Sequence, residues 1–510
     1  MLSAGKSIWA QTVDKFIHEI CPSRWANEEK LVQFIKLYVS QKNKIWAAWN
    51  LLEDSAGNIA IHIPTKQQKF SHLPPVLLQA HLDMVQSSSQ IQDGEDMYDY
   101  SKWIFPEETP DGEWIQSVWK TTTLWADCGI GIAGALQLAE IENRPPLVII
   151  LTRDEEGDMT WAFQINPEKL GIWSGDIQYL INLDNNYEDQ ILVGSWGGLS
   201  MKMDGHYEVQ SPTFPQYKIR FSDLQWGHSG EDIDKGRMNI ICEMCNFLKR
   251  LDKHSVPFEF WGIQSGKQEN AIPWSWDLIV WIPDDQVDVF EDFLRQFYKD
   301  LKTRYPEERE FSYALQPIEK KSSFYVMGYE QTMAIVKAFW NQLLWEIVRD
   351  EEFAIPKTSN NVWVCEIKNG TMKVQFYGRS DNPESMYKLW AYLWNDFFDA
   401  GLELRKTQPI SPWSPEFTSG FLEIAKTAYK QVHNILPKVV KTHSSLECGI
   451  LKKNIEKVSG RVLQVISCGP RILDEHSNTE RLHKKSVDVW MEFLERLMLV
   501  LAERDTKTLK

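Results

Sequence analysis

Acidic side chains follow three apolar segments of the chain, at the points where each segment would end as a β-strand. His81 and Asp83 come directly after the apolar run 75–80, and the alternation of side chains along a strand places both on the same side. Ligands of open α/β sheets bind at the carboxyl ends of strands, so these acids are candidates for one cleft. The other members are Asp154, Glu155 and Glu156 after residues 146–152, Asp184 after residues 178–183, and Asp127 at the start of a helical segment.

A bound cation would offset the charge of such a cluster. Carboxylates held close together repel each other and lose their hydration. One histidine among several carboxylates suits zinc, manganese or cobalt better than calcium, which prefers oxygen ligands alone. Two such ions about 3.5–4 Å apart would share a carboxylate and activate a water, while another carboxylate takes the proton of that water. The residues alone leave open the alternative that these acids are ordinary turn and helix-capping residues.

The elements that would position these acids alternate along the first part of the chain. Residues 28–40 and 127–142 are typical of helices, and the three apolar runs are typical of buried strands. Strand–helix–strand alternation predicts a mainly parallel sheet.

A change of pattern near residue 195 predicts an inserted domain. The following stretch contains strand-like segments and amphipathic helices near 232–252 and 285–303, which are typical of a separate α+β domain. After about residue 410 the pattern returns to a helix, a strand and a closing helix. We therefore predict an α/β protein with a mainly parallel-sheet first domain, formed by residues 1–195 and 408–510 and interrupted by an α+β domain at 196–407.

The composition excludes several classes of partner. The 510 residues carry a formal net charge of -16, which argues against nucleic acids and anionic membranes. The first residues contain no continuous apolar stretch of the kind found in signal peptides, and no uncharged run is long enough to span a membrane. The seven cysteines are scattered and odd in number, so we expect a cytoplasmic protein without a disulfide framework.

The motifs around these residues resemble one family, the cocatalytic zinc metallopeptidases that include carnosinases, aminoacylases and bacterial aminoacyl-histidine dipeptidases. The likeness to the last group runs nearly from end to end, and the combination of motifs is specific although each one alone is only moderately so. The matching stretches are PVLLQAHLDMV, TTTLWADCGIGIAGAL, TRDEEGDMTWA, LINLDN, QWGHSGEDIDKGR, ENAIP, GRSDN, HSSLECGI and ISCGPRILDEHSNTERL.

The resemblance implies a role for each member of the acidic cluster. Glu155 would be the general base, and Asp83 would orient His81 by a hydrogen bond, as metal-bound imidazoles require. His476 is implied by the resemblance alone, because a single histidine in a loop is usually just exposed. The ligands would be His81 and Asp184 for the first metal, Glu156 and His476 for the second, and Asp127 as the bridge between them.

The middle domain resembles the family's lid and dimerisation domain, which implies a homodimer. His228 would stabilise the oxyanion that develops in the transition state. Asn270 and Arg379 would hold the backbone and the C-terminal carboxylate of the substrate, since the planar guanidinium binds a carboxylate through two hydrogen bonds. Ser445 of the HSSLE stretch would lie at the substrate-binding site. A surface or interface role is the alternative for each of these residues.

Several tryptophans stand where the motifs of this family carry glycine, and Ser445 replaces a glycine in the same way. Tryptophan is abundant, at 23 residues, and glycine is scarce, at 27. Our hypothesis is that the gene comes from a lineage that reads UGA as glycine and was translated with UGA as tryptophan. UGG codons would exclude this hypothesis, and genuine tryptophans would crowd the backbone near Asp127 and put activity in question. The positions are Trp125, Trp161 and Trp226, with Trp119 and Trp363.

These observations predict a metallo-dipeptidase that hydrolyses unblocked dipeptides, Xaa-His among others. The cofactors would be two divalent metal ions, zinc in the first place, with cobalt and manganese as alternatives. Two alternative functions remain open at this point. One is a related amidohydrolase, such as an N-acyl amino acid deacylase or a tripeptidase, and the other is a catalytically degenerate metal-binding homologue.

Overall fold

The computed structural model divides the chain into two compact units. The first unit comprises Met1–Gly194, Trp413–Lys441 and Leu446–Lys510, and the second comprises Ser195–Pro412 and Thr442–Ser445. The structure describes residues 8–20, 28–45, 48–85, 105–118, 122–156, 159–173, 177–225, 227, 229–230, 232–266, 272–274, 276–318, 325–343, 348–349 and 356–508.

The first unit contains an eight-stranded sheet whose centre is parallel. Its strand order is β1-β2-β6-β3-β7-β21-β8-β20. The neighbours β6, β3, β7 and β21 pair in parallel. Strand β2 pairs antiparallel with both β1 and β6, and β21 pairs antiparallel with β8. The strands are β1 (Asn50–Glu53), β2 (Ile59–Ile63), β3 (Val76–His81), β6 (Leu147–Thr152), β7 (Tyr179–Asn182), β8 (Gln190–Ser195), β20 (Lys438–Thr442) and β21 (Gln464–Ser467).

A small second sheet and most of the helices complete the first unit. The small sheet has the order β22-β23-β5-β4, formed by Ile472–Leu473, Arg481–His483, Trp114–Ser117 and Pro106–Glu108. The helices are α1 (Ile8–Lys15), continued by a π-helical turn at Phe16–Ile20, α2 (Glu28–Ile45), α3 (Ala126–Leu138), α4 (Thr160–Phe163), α9 (Gly420–His433), α10 (Cys448–Ser459) and α11 (Lys484–Thr508).

Helices cover both faces of the central strands, which is why these strands are continuous apolar runs. Along β3, Leu78 belongs to the hydrophobic cluster that includes α3 and α11, while its neighbour Leu77 belongs to the cluster that includes α10. The same alternation holds for Ile149 and Val148 on β6. Both side-chain rows of a parallel sheet are therefore removed from water, and most residues in these rows are apolar.

The second unit is built on an eleven-stranded antiparallel sheet. Its main path is β14-β11-β13-β12-β17-β18-β9-β19, and β10, β15 and β16 pair outside that path. The strands are β9 (Gly197–His206), β10 (Val209–Gln210), β11 (Gln216–Ser222), β12 (Glu259–Ser265), β13 (Trp276–Trp281), β14 (Ser312–Pro317), β15 (Val326–Met327), β16 (Val348–Arg349), β17 (Pro356–Lys368), β18 (Thr371–Ser380) and β19 (Leu402–Pro409). The helices are α5 (Ile240–Lys253), α6 (Val287–Arg304), α7 (Tyr329–Leu343) and α8 (Pro383–Asp399).

The α/β class predicted from the sequence is confirmed, and the four central strands of the first sheet pair in parallel. β1 and β2 pair antiparallel because a short connection joins them. Residues 442–445 lie in the second unit, although they fall within the range 408–510 predicted for the first domain. Within the described residues, no helix is long and apolar enough to cross a membrane.

Candidate metal centre

The first unit brings five of the predicted ligands into one cluster. His81 is the last residue of β3, and Glu156 and Asp184 follow β6 and β7 by a few residues. Because β3 lies between β6 and β7 in a parallel arrangement, the carboxyl ends of all three strands meet at the same edge of the sheet. Asp127 comes from the start of α3, and His476 from the loop that joins β22 to β23.

His81 lies between two carboxylates. Its Nε2 atom is 3.2 Å from Asp127 Oδ1 and 3.6 Å from Asp184 Oδ1. The other ring nitrogen, Nδ1, is 3.0 Å from the carbonyl oxygen of Asp83 and 3.5 Å from its carboxylate. With Nδ1 donating to that carbonyl, Nε2 is the ring nitrogen left to face a metal ion, as in other metal-bound imidazoles.

His476 forms the second half of the cluster. Its Nε2 atom lies 3.4 Å from Asp127 Oδ2 and 3.0 Å from Glu156 Oε1. The two oxygens of Asp127 are thus directed at different histidines, with Oδ1 facing His81 and Oδ2 facing His476. This is the arrangement that a carboxylate bridging two metal ions requires.

Asp83 holds the main chain that carries two of the acids. Its carboxylate accepts hydrogen bonds from the backbone N–H of Glu155 at 3.0 Å and from that of Glu156 at 2.9 Å. Burial alone would raise the pKa of Asp83, but the hydrogen bonds with His81 and with these amides lower it below its usual value. Asp83 therefore remains a carboxylate that fixes the segment after β6 relative to β3.

The acids at this edge destabilise one another's charge. Burial and the neighbouring Asp127 carboxylate raise the pKa of Asp184 to about 7. Burial and the Asp184 carboxylate raise the pKa of Glu155 well above its usual value. Burial would lower the pKa of His81, but Asp184 and the hydrogen bond with Asp127 raise it well above 6.5. Raised pKa values of carboxyl groups and of a histidine mean that the cluster carries an excess of negative charge, which a bound cation would offset.

The donor set fits divalent metal ions. The ligand atoms of His81, Asp127 and Glu156 lie within 4.8 Å of one another, as do those of His81, Cys128 and Asp184. Glu156 Oε1 is buried and faces His476 Nε2, which suits an oxygen that would bind a cation beside this histidine. Histidine nitrogen and carboxylate oxygen are the ligands that zinc, cobalt and manganese accept.

Cys128 is a neighbour of the cluster that the sequence analysis does not single out. Its Sγ atom is directed at the carbonyl oxygen of Leu183, at 3.5 Å. Burial and the Asp184 carboxylate raise the pKa of this thiol well above its usual value. A protonated thiol is a poor metal ligand, so the carboxylates and histidines remain the better donors.

Two further buried carboxylates adjoin the cluster and have no counterpart in the sequence analysis. Glu480 accepts hydrogen bonds from three consecutive backbone amides that end at Asp127. Glu447 accepts from Gln79 Nε2 at 2.8 Å and from Thr152 Oγ1 at 2.5 Å, directly beneath the ligands on β3 and after β6. Single acids in loops are common, so neither residue stands out in the sequence by its type or spacing. Both do lie within the last two motifs that match the family.

The second unit contains the predicted substrate-binding residues that the structure describes. Arg379, on β18, is buried, and its Nη1 atom lies 3.4 Å from Ser445 Oγ. Its guanidinium is stacked over the Tyr377 ring at 4.5 Å. His228 and Asn270 lie outside the described residues, so their roles stay predictions.

The tryptophans at family glycine positions have different surroundings. Trp125 is fully buried with φ of 61°, in the left-handed region that favours glycine, and its Nε1 donates to the carbonyl oxygen of Asp83 at 3.1 Å. Trp161 is 38 % exposed. Trp363 lies at an irregularity in the pairing of β17 with β18. Trp119 and Trp226 lie outside the described residues.

The fold is shared with solved peptidase structures. The aminoacylhistidine dipeptidase of Vibrio alginolyticus has a TM-score of 0.69 and 23 % identity, over 97 % of this chain and 97 % of that one. A tripeptidase of Staphylococcus aureus has a TM-score of 0.53 and 13 % identity, over 97 % of this chain and 98 % of that one. At these identities the likeness establishes the fold.

The sequence is similar to that of a dipeptidase over nearly its whole length. The cytosol non-specific dipeptidase of Escherichia coli strain K12 is 28 % identical over 491 residues, which cover 92 % of this chain and 93 % of that relative. No protein-family model matches the chain. The resemblance to bacterial aminoacyl-histidine dipeptidases that the motifs indicate is thereby confirmed.

Proposed function

We propose that the protein is a metallo-dipeptidase that hydrolyses unblocked dipeptides, Xaa-His among them, with a water activated by two divalent metal ions. The observation that carries the proposal is the position of Asp127, whose two carboxylate oxygens face His81 and His476 separately. Asp184 adjoins His81, and Glu156 adjoins His476, so each half of the cluster has a histidine and a carboxylate of its own. The similarity to a dipeptidase over 92 % of the chain supports the substrate class.

We assign the metal pair to zinc, with cobalt and manganese as alternatives. His81 and Asp184 would hold one ion, Glu156 and His476 the other, and Asp127 both. When bound, the pair supplies Lewis acidity that acidifies a shared water and polarises the peptide carbonyl.

The protein's own groups would then move the proton and hold the substrate. Glu155 takes the proton of the attacking water and passes it to the leaving amine. Arg379 binds the C-terminal carboxylate of the dipeptide, with Ser445 beside it. His228 stabilises the oxyanion and Asn270 holds the substrate backbone, as the motifs indicate.

We propose the cellular location and the oligomeric state from the same similarity. The relative from Escherichia coli is called a cytosol dipeptidase, and we propose a cytoplasmic location for this chain as well. We also propose a homodimer formed through the second unit, as the motifs indicate. The charge of -16 is consistent with small peptides as partners and with no binding to nucleic acid.

The decisive experiment combines metal analysis with a substrate panel. The purified protein should contain two divalent ions per chain and hydrolyse Xaa-His dipeptides faster than acetylated amino acids or tripeptides. Faster cleavage of acetylated amino acids or of tripeptides would instead favour the related amidohydrolases, and a solved tripeptidase does share the fold. Two bound ions without turnover of any substrate would indicate a degenerate homologue.

The variant Glu155→Gln separates chemistry from metal binding. Because the amide cannot accept the proton of the water, we expect kcat to fall by about 10²–10⁴-fold. The metal content should stay at two ions, because Glu155 is not among the proposed ligands. A variant with unchanged kcat would contradict the assignment of the general base, and measurement of kcat beside metal content distinguishes the two results.

A further inference from the structure

Glu480 forms an unusually complete set of hydrogen bonds within the first unit. Its carboxylate is buried and accepts from the backbone N–H of Trp125 at 2.9 Å, of Ala126 at 2.9 Å and of Asp127 at 3.1 Å. Three consecutive amides directed at one carboxylate form an anion-binding turn. Hydrogen bonds between a charged acceptor and backbone amides are among the stronger ones in proteins.

This contact differs from the capping of a regular helix. Asp127 has φ of -86° and ψ of 107°, and Cys128 has φ of -111° and ψ of 30°, so regular helical geometry begins only after these residues. The amides that Glu480 binds belong to the irregular turn that precedes the helix. The contact therefore fixes the direction in which the Asp127 side chain leaves the main chain.

The same loop also supplies a proposed metal ligand. His476 and Glu480 lie four positions apart, and the Oγ of Ser477 donates to the carbonyl oxygen of Asp474 at 2.6 Å within this loop. His476 Nε2 faces Asp127 Oδ2 at 3.4 Å, while Glu480 binds the main chain of Asp127. One loop thus contacts both the side chain and the backbone of the residue between the two histidines.

We propose that Glu480 is a positioning residue that holds Asp127 as the bridge between the two metal ions and thereby sets the affinity of the site for them. The inference rests on the metal pair of the proposed function. Removing a group that orients a ligand typically lowers metal affinity by about 10–100-fold. Replacing the carboxylate by an amide places an NH₂ group against at least one backbone N–H, so the three amides are no longer all satisfied.

The test is a Zn²⁺ titration of the metal-free protein against a chromogenic chelator. We expect Glu480→Gln to bind Zn²⁺ about 10–100-fold more weakly than the wild type at one site or at both. Its kcat should recover as Zn²⁺ is added, with KM for the dipeptide unchanged. The matched control is Glu113→Gln, which removes the same charge from an exposed position of the first unit and should bind Zn²⁺ as the wild type does.

The outcomes separate this inference from the proposed function. A wild-type protein that binds no Zn²⁺ contradicts the proposed function itself. If the wild type binds two ions and E480Q binds them equally tightly, the role of Glu480 is wrong, even where its unfolding temperature falls. If E480Q does not fold, Glu480→Asp replaces it in the test. The shorter side chain keeps the carboxylate charge but cannot reach all three amides. Wild-type affinity for Zn²⁺ in E480D would overturn the inference.

Discussion

Five of the ten non-glycine residues with positive φ among the described residues lie near the proposed metal ligands in sequence. Trp125, Asp154, Met159, Asp474 and His476 all have φ between 51° and 63°. Non-glycine residues seldom adopt this conformation, and it costs about 1–3 kcal/mol where the surrounding structure imposes it. Each of these residues is a proposed ligand or lies within a few positions of one. The backbone that carries the proposed ligands is therefore strained at these positions.

Trp125 combines this strain with complete burial, and two substitutions separate the two effects. Both Trp125→Gly and Trp125→Ala remove the ring, but only alanine keeps a Cβ that opposes a φ of 61°. We therefore expect the glycine variant to be more stable than the alanine variant by about 1 kcal/mol, the reverse of the usual order in helices and strands. Urea unfolding of the two variants measures the difference. An alanine variant that is equally stable or more stable would contradict the strain at this position.

The UGA hypothesis is tested on the gene rather than on the protein. The conformation of Trp125 agrees with a glycine at this position, whereas the complete burial of its ring shows that the core also accommodates tryptophan. UGG codons for Trp125, Trp161 and Trp226 would exclude the hypothesis.

At the scale of elements, the buried parallel strands of the first sheet were predictable, and so were the acids that follow them, whereas β1, β2, β8 and β20 were not predicted. The apolar runs 75–80 and 146–152 correspond to β3 (Val76–His81) and β6 (Leu147–Thr152), because strands buried on both faces leave no other pattern. His476 was found only through the resemblance, and Glu480 was not found, because neither belongs to a periodic segment. The small sheet was missed since two of its strands, β22 and β23, contain only two and three residues.

A chain of buried polar groups crosses the sheet directly beneath the candidate metal centre. Gln79 on β3 donates to Glu447 Oε2 at 2.8 Å and accepts from Asn182 Nδ2 on β7 at 2.5 Å. Ser467 on β21 in turn donates to Asn182 Oδ1 at 2.5 Å. Most other residues of these strands are apolar, so the network fixes the relative positions of the strands just before the proposed ligands.

Gln79 connects the two halves of this network, and its removal should be costly. Gln79→Leu removes the acceptor of Asn182 Nδ2 and one of the two side-chain donors to Glu447 Oε2, and each polar group left unsatisfied in the interior costs about 1–3 kcal/mol. We expect a total loss of stability of about 3 kcal/mol. The matched control is Gln68→Leu at an exposed position, which should change stability little. Equal unfolding midpoints for Q79L and the wild type would show that the network contributes nothing.

At the scale of the whole molecule, one buried histidine of the second unit links stability to pH. The ring Nε2 of His443 lies 2.6 Å from Ser359 Oγ, and the ring is buried. Burial and the nearby Arg379 lower the pKa of His443 to about 3. The folded protein thus keeps this imidazole neutral, whereas in the unfolded chain it gains a proton near its usual pKa of about 6.5.

The sign of the pH effect follows from this depressed pKa. The stabilising contribution is complete above about pH 6.5 and is lost progressively as the pH falls towards 3, because only the unfolded state binds the proton. Between pH 7 and 5 we expect His443 to account for a loss of about 2 kcal/mol. Between pH 7 and pH 5 we expect the variant His443→Gln to lose about 2 kcal/mol less stability than the wild type. Urea unfolding of both proteins at the two pH values measures this difference. Identical losses in the two proteins would rule out this histidine as the cause.

The order of the segments along the chain has a consequence for biosynthesis. His81, Asp127, Glu156 and Asp184 precede the second unit, which occupies Ser195–Pro412, and His476 follows it. A ribosome must therefore synthesise the entire inserted unit before the last ligand emerges. Until then the nascent chain can offer a cation only His81 and the carboxylates, so the proposed pair of metal ions would be bound in full only at the end of translation or after it.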